Sequence, residues 1–180
     1  MTTTLRSKVQ AELAWTWTDH VDTLPIVDSN RLRSSADLPD GNGSGQADAV
    51  WHASGQSLAA GQSVVYELDQ LYQDLFGSFI EIPLSAVRAI LITNTTTGGN
   101  GYLLVGGAAS NAWEQPFGTS GSRIKVPAGS PLLLANTQEG WSIPAGQTDL
   151  KIEAVAGPVT FAIAVLGTLS TSQSSSSSSG

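Results

Sequence analysis

The chain has 180 residues, 41% of them apolar and only 13% charged, with a formal net charge of −7 and no cysteine. That length supports one well-formed core and makes two full domains a squeeze, and the apolar share excludes a disordered chain. The missing cysteines exclude disulfides and Cys-zinc sites, and the acidic balance, with only Arg88, Arg123, Lys125 and Lys151 basic beyond position 33, argues against a nucleic-acid partner.

In chain order, "MTTTLRSKVQ" lacks the apolar core of a secretory signal. No apolar run approaches the roughly 20 residues of a membrane helix. The reading is a soluble chain made in the cytosol, with no membrane partner. Residues 1–46 read as an extended N-terminal arm carrying one strand. In "VQAELAWTWT", Val9, Ala11, Leu13, Trp15 and Trp17 alternate with Gln10, Glu12, Ala14, Thr16 and Thr18, the period of a half-buried strand. The following "DHVDTLPIVDSNRLRSSADLPDGNGSG" is polar, Asp-rich and interrupted by Pro, and reads as extended arm or long loop lying against something else.

Residues 47–168 carry about ten short β-like runs. Leu150, Ile152 and Ala154 share one face, opposite Lys151 and Glu153; Val159, Phe161, Ile163 and Val165 share another. "AVRAILITN" is apolar on both sides, with Val87, Ala89 and Leu91 set against Arg88, Ile90 and Ile92, which suits a central strand. "TTTGGNG" reads as a hairpin loop, and "VPAGSP" and "IPAGQT" as turns with Pro at the first corner. "ELDQLYQDLFG" is the one candidate helical turn. The pattern predicts an all-β fold, an antiparallel β-sandwich or jelly-roll-like domain. Residues 169–180, "LSTSQSSSSSSG", form a Ser-rich tail that cannot repay its own ordering.

Asp40, Asn42, Ser44 and Gly45 open like a calcium loop, with Asp48 at the ninth position. The twelfth position, which should be a bidentate acid, is Trp51, so the stretch reads as a turn cluster ending the arm and no metal is assigned. His20 and His52 sit in no nucleophile or zinc-ligand signature, and no phosphate-cradling Gly loop occurs, so the chain reads as a non-enzyme without a cofactor. "NTT" at Asn94 is formally a glycosylation sequon and reads as a turn. Of the five tryptophans, Trp51 and Trp141 lie in runs that suit burial, while Trp15 and Trp17 share one side of the arm strand. Val9, Leu13, Trp15 and Trp17 are therefore the candidate partner-binding residues, with sugar stacking on exposed tryptophan as the competing use.

The order of "GSGQADAVWHASGQSLAAGQSVVYELDQLYQDLFGS", "AVRAILITNTTT", "LLVGGAASNAWEQPFG" and "IKVPAGSPLLLANTQEGWSIPAGQTDLKIEAVAGPVTFAIAVLG" resembles a family of tailed-bacteriophage virion proteins. The resemblance covers about residues 43–168 and rests on turns and core strands, with no catalytic residue to carry over. It implies a β-sandwich accessory component of the particle. The resulting expectation is a capsid decoration or cement protein, a homo-oligomer on the outer surface of the head, made in the host cytoplasm. It would staple capsomers through its sandwich and arm, with the major capsid protein or other virion proteins as partners. The alternatives are a tail, neck or fibre component, or a carbohydrate-binding adhesion module.

Overall fold

The computed structural model describes residues 4–21, 24–75 and 78–170. The serine run, residues 171–180, lies outside them. Every regular element described is a strand. In chain order they are β1 (Ser7–Val21), β2 (Leu24–Leu38), β3 (Ala49–Leu58), β4 (Ser63–Glu67), β5 (Leu71–Leu75), β6 (Ser78–Ile82) and β7 (Leu84–Asn94). They continue with β8 (Tyr102–Gly106), β9 (Arg123–Val126), β10 (Pro131–Ala135), β11 (Trp141–Ser142), β12 (Asp149–Val155) and β13 (Val159–Leu169).

Two antiparallel sheets make an all-β sandwich. One runs β10-β7-β13-β3, with β11 continuing the β10 edge along β7; the other runs β4-β12-β8-β9. The expected alternation drives the packing. Val159, Phe161, Ile163 and Val165 of one sheet meet Leu150, Ile152 and Ala154 of the other in a single core, together with Leu103, Val105 and Val126. Trp113 is buried here and donates its indole N–H to the Ser142 carbonyl at 2.9 Å, so its one polar group is satisfied. Trp141 meets it edge-on at 6.4 Å, and Trp51 gives its indole N–H to the Tyr72 carbonyl at 2.9 Å.

β7 is central, as its two apolar sides predict, but its faces are shuffled. Leu166 pairs with Ala89 and Gly167 with Val87, so Arg88 is an extra residue in a β-bulge. The bulge breaks the period of two, which puts Val87 in the core beside Ile90 and Ile92 while Ala89 turns outward. Gly167 is required opposite it, because a β-carbon there would overlap the Ala86 carbonyl oxygen.

Four other expectations change. Residues 24–38 are not loop: they form β2, and β1 and β2 pair over fifteen consecutive rungs from Ser7–Leu38 to Val21–Leu24. The candidate helical turn is strand β5, paired with β6, because Leu71 is drawn into the core and β5 runs beside β3. The "TTTGGNG" loop crosses between sheets, since β7 and β8 belong to different ones. In the turns Pro127–Ser130 and Pro144–Gln147 the fourth residue's N–H returns to the proline carbonyl, so proline precedes the first corner. Gly129 and Gly146 hold the second corner at φ of 70° and 79°, which is what selects glycine there.

Candidate functional site

Among the described residues, the β1–β2 hairpin stands largely uncovered by the rest of the chain. Fifteen residues per strand give a ribbon roughly 50 Å long. Every described side chain from residue 10 to residue 35 is exposed. Because paired residues share a face, the rungs separate the ribbon into two chemically different sides. One side carries Val9, Ala11, Leu13, Trp15, Trp17, Leu24, Ile26 and Leu32, interrupted by Asp19, Asp28, Asn30 and Ser34. The other carries Lys8, Gln10, Glu12, Thr16, Thr18, Ser29, Arg31, Arg33 and Asp37.

The polar side is made for water. Lys8 lies 3.5 Å from Asp37 and Arg33 lies 3.9 Å from Glu12, while Arg33 also donates to the Gln10 amide oxygen at 2.8 Å. Thr16 and Ser29 hydrogen-bond across a rung at 3.2 Å. Such exposed pairs fix register more than they add stability. The other side has no such use for solvent: Leu24 is 72% exposed, Leu32 71%, Leu13 67% and Trp17 58%. Covering six such side chains is worth on the order of 5–10 kcal/mol gross, before the costs of association. A two-stranded ribbon is at best marginal alone in water.

The ribbon is anchored at its base. Val9, Ala36 and Leu5 pack on a small cluster of Leu38, Ala47, Ala89 and Leu166, on the outer side of the β7–β13 sheet. The apolar side continues from there into a groove of about 380 Å³, lined by Val9, Val50, Leu91, Leu133, Ala164 and Leu166. Val50 and Leu91 are each 43% exposed. The ribbon's apolar side and the sheet's outer side thus form one continuous surface.

Of the four expected partner-binding residues, the structure brings Leu13, Trp15 and Trp17 onto the uncovered side. Val9 shares that side but is half-buried and serves the anchor. Trp15 is steadied by a hydrogen bond from its indole N–H to Asp28, at 3.3 Å. The residues that sequence reasoning missed are Leu24, Ile26 and Leu32 of β2. Their signal was present as apolar residues at even positions from Leu24 through Ala36 to Leu38, hidden by Pro25 and by Asp28, Asn30 and Ser34 within the same period.

The Asp40–Asp48 stretch closes around a different cation. The Arg88 guanidinium, which the bulge turns away from the core, donates to the carbonyls of Gly43 (2.8 Å), Gln46 (3.0 Å) and Gln138 (2.9 Å). Gly140, at φ 75°, leaves room for it: a β-carbon there would sit 2.9 Å from Nη1. The carboxylates are separately engaged, Asp40 accepting from the Leu5 N–H at 3.0 Å and Asp48 from the Leu169 N–H at 2.7 Å. Asn42 and Ser44 are exposed at the turn. The stretch ties the arm to the sandwich. His20 lies near the far end of β1, where its N–H donates to Asp19, and His52 lies on the exposed side of β3; Asn94 is buried, its amide donating to the Val126 carbonyl at 3.1 Å.

Among the described residues no group of three or more His, Cys, Asp or Glu is placed to hold a metal ion, and no helix is long and apolar enough to cross a membrane. Comparison with known proteins finds no matching family model, no matching curated protein and no matching solved structure.

Proposed function

We propose that this chain is a structural component of a tailed-phage virion, a decoration or cement protein on the outer surface of the head. The sandwich seats on the shell, and the hairpin reaches across a subunit boundary so that neighbouring capsomers are stapled together. The observation that carries this reading is the long, largely apolar side of the β1–β2 ribbon, which none of the described residues covers. A monomer that exposes a contiguous apolar strip of this size has a partner to put on it. Exposed tryptophan and leucine anchors are the residue types that dominate such contacts.

The sandwich is consistent with that role. Pairings β3–β13, β4–β12, β7–β10 and β8–β9 are nested, as in one long hairpin rolled into two sheets. On that order we read the domain as a jelly roll, an architecture that recurs in capsid and lectin domains. This is analogy at the level of fold and the resemblance over residues 43–168 points the same way. We assign no catalytic role to any residue.

The test is binding to heads that lack the protein. The full chain is expected to bind near-stoichiometrically with the major capsid protein and to raise the temperature at which the heads rupture. Replacing Leu13 and Trp17 together by Ser should abolish the rupture effect. Heads that rupture at the same temperature with or without the chain would overturn the stapling role. A copy number of only a handful per particle would move it to the tail, neck or a fibre.

One feature favours carbohydrate adhesion as a second reading. On the apolar side of the ribbon Trp15, 41% exposed, lies across its rung from Asn30 and donates its indole N–H to Asp28, an aromatic surface beside hydrogen-bonding groups. Glycan-array binding lost on Trp15→Ala would establish it; a blank array removes it.

A further inference from the structure

We propose that the hairpin's occupant is the hairpin of a second copy of this chain, laid face to face and antiparallel about a two-fold axis near Trp15. The proposal deepens the stapling role: each sandwich would sit on its own capsomer, and the clasped hairpins would form the staple.

Charge along the ribbon selects the direction. Residues 15–30, the distal half, contain three aspartates and no lysine or arginine. The proximal half carries Arg6, Lys8, Arg31 and Arg33 against Glu12, Asp37 and Asp40. An antiparallel pair keeps the two acidic ends apart, whereas a parallel bundle gathers them together. Like charges brought into contact are costly, so the antiparallel arrangement is the favoured one.

The geometry is self-complementary in the same sense. The apolar groove lies at residues 7–10, the last rung is Val21–Leu24, and the Trp15–Asn30 rung is about midway between them. With the axis there, Leu13 of one copy meets Trp17 of the other. Leu24 then arrives over the partner's Val9–Ala36 rung, beside the groove lined by Val50, Leu133 and Leu166, and Ile26 over its Ala11–Ser34 rung. Each copy therefore offers both the knob and the hole, which is what an isologous contact demands. Strands spaced about 4.8 Å apart and about 50 Å long give each ribbon face roughly 500 Å². Two faces reach about 1,000 Å², the lower bound of a specific interface, before the grooves are added.

A lipid surface fits less well. Asp19, Asp28 and Asn30 lie on the apolar side of the ribbon, and carboxylates facing acyl chains are strongly disfavoured. Against a second copy Asp28 keeps the hydrogen bond from the Trp15 indole N–H, and Asn30 lies at the axis, level with the partner's own Asn30.

The chain has no cysteine, so introduced ones are unique. The full-length protein at micromolar concentration is expected to show twice the chain mass by light scattering, and Leu13→Asp should return it to the monomer with the sandwich's melting unchanged. With a short bismaleimide, Trp15→Cys should cross-link to itself. Val9→Cys and Leu24→Cys should each fail alone and cross-link when mixed. A wild-type monomer, a Leu13→Asp dimer, or self-cross-linking of both Val9→Cys and Leu24→Cys would each overturn the clasp. Vesicle binding by a wild-type monomer would give the face to lipid instead. Head binding is read separately: a dimer that ignores heads keeps the clasp and removes the virion role, and a monomer that decorates them does the reverse.

Discussion

β1 and β13 are written in the same alphabet and meet opposite fates. Each alternates large apolar residues with small or polar ones at a period of two. In β13, Val159, Phe161, Ile163 and Val165 are 0–2% exposed because the second sheet closes over them. In β1, Leu13, Trp15 and Trp17 are 41–67% exposed because no element among the described residues lies on them. Periodicity therefore reports that a face wants covering; it does not report who covers it. In one strand the described chain supplies the cover, and in the other the proposed partner would supply it.

The sharpest way to break that contrast is to truncate one large residue in each strand. Phe161→Ala removes a fully buried ring from the middle of the core and should cost about 3–5 kcal/mol. Leu32→Ala, on a side chain 71% exposed, should cost less than ~0.5 kcal/mol in chains diluted below any association. Urea unfolding followed by core tryptophan fluorescence measures both. Equal costs would mean that the hairpin is folded into the sandwich in solution and that the contrast is not real.

Arg88 is the joint between the two regions, and its loss should give the next largest effect. Arg88→Met keeps much of the side-chain volume but takes three charged hydrogen bonds from the carbonyls of Gly43, Gln46 and Gln138. Two of those carbonyls retain a backbone donor, Gln46 N–H on Gly43 and Gly45 N–H on Gln138, so the expected cost is about 2–4 kcal/mol rather than the full sum. Arg88→Lys should rescue little, because an ammonium cannot spread donors over three diverging acceptors as the guanidinium plane does. Proteolysis between residues 39 and 48 should accelerate in both variants; a loop that stays resistant would show that the arm is held by the Leu38 cluster alone.

These residues also show what was legible in the sequence and why. The sandwich was, because its strands satisfy their alternation within the chain and its turns repeat a glycine-bearing pattern. The bulge at Arg88 was not, since one inserted residue reverses face assignment without leaving a mark in composition. β2 was missed because Asp28, Asn30 and Ser34 occupy positions that only register with β1 identifies as inward. A strand side that the described chain leaves exposed to solvent has no reason to be uniformly apolar. The Asp40–Asp48 loop looked like a metal site for a physical reason: its carbonyls do converge on a cation, one supplied by a residue forty positions away.

Solvent-facing electrostatics on the sandwich should matter less than either joint or core. Lys151 donates to Glu153 at 2.8 Å, and Arg123 lies 3.3 Å from the same oxygen. The hydrogen bond from Lys151 is the largest effect and holds the Glu153 carboxyl below the usual range; burial opposes it, and the charges of Lys151 and then Arg123 add to the lowering. A depressed folded value means that the contribution is present above the ordinary carboxyl pKa and is lost as pH falls through the folded value. Glu153→Gln should therefore melt slightly below the parent near neutral pH and converge with it in acid. A gap that widens in acid would reverse the sign and remove the triad from the account.

The smallest effect expected is at Tyr66, where the interior of the sandwich carries a hydroxyl it does not use. The ring packs on Trp51 at 5.0 Å, and the hydroxyl is buried with no hydrogen-bond partner in the structure. Burial raises its pKa above the ordinary tyrosine value, because the phenolate would be worse solvated than the phenol. Tyr66→Phe keeps the ring and deletes the unsatisfied atom, so stability should be unchanged or up by no more than ~1 kcal/mol. The pH signature separates this from a silent surface change. The raised folded value makes the parent's stability complete below the unfolded tyrosine pKa and lost as pH rises through the folded value, a loss that phenylalanine cannot show. Melting temperatures that coincide at neutral pH and part in alkali, with the phenylalanine variant the more stable, are the expected pattern. A loss on removing the hydroxyl at neutral pH would mean that it is bonded after all, and that this side of the sandwich, like the hairpin, meets a group its own chain does not supply.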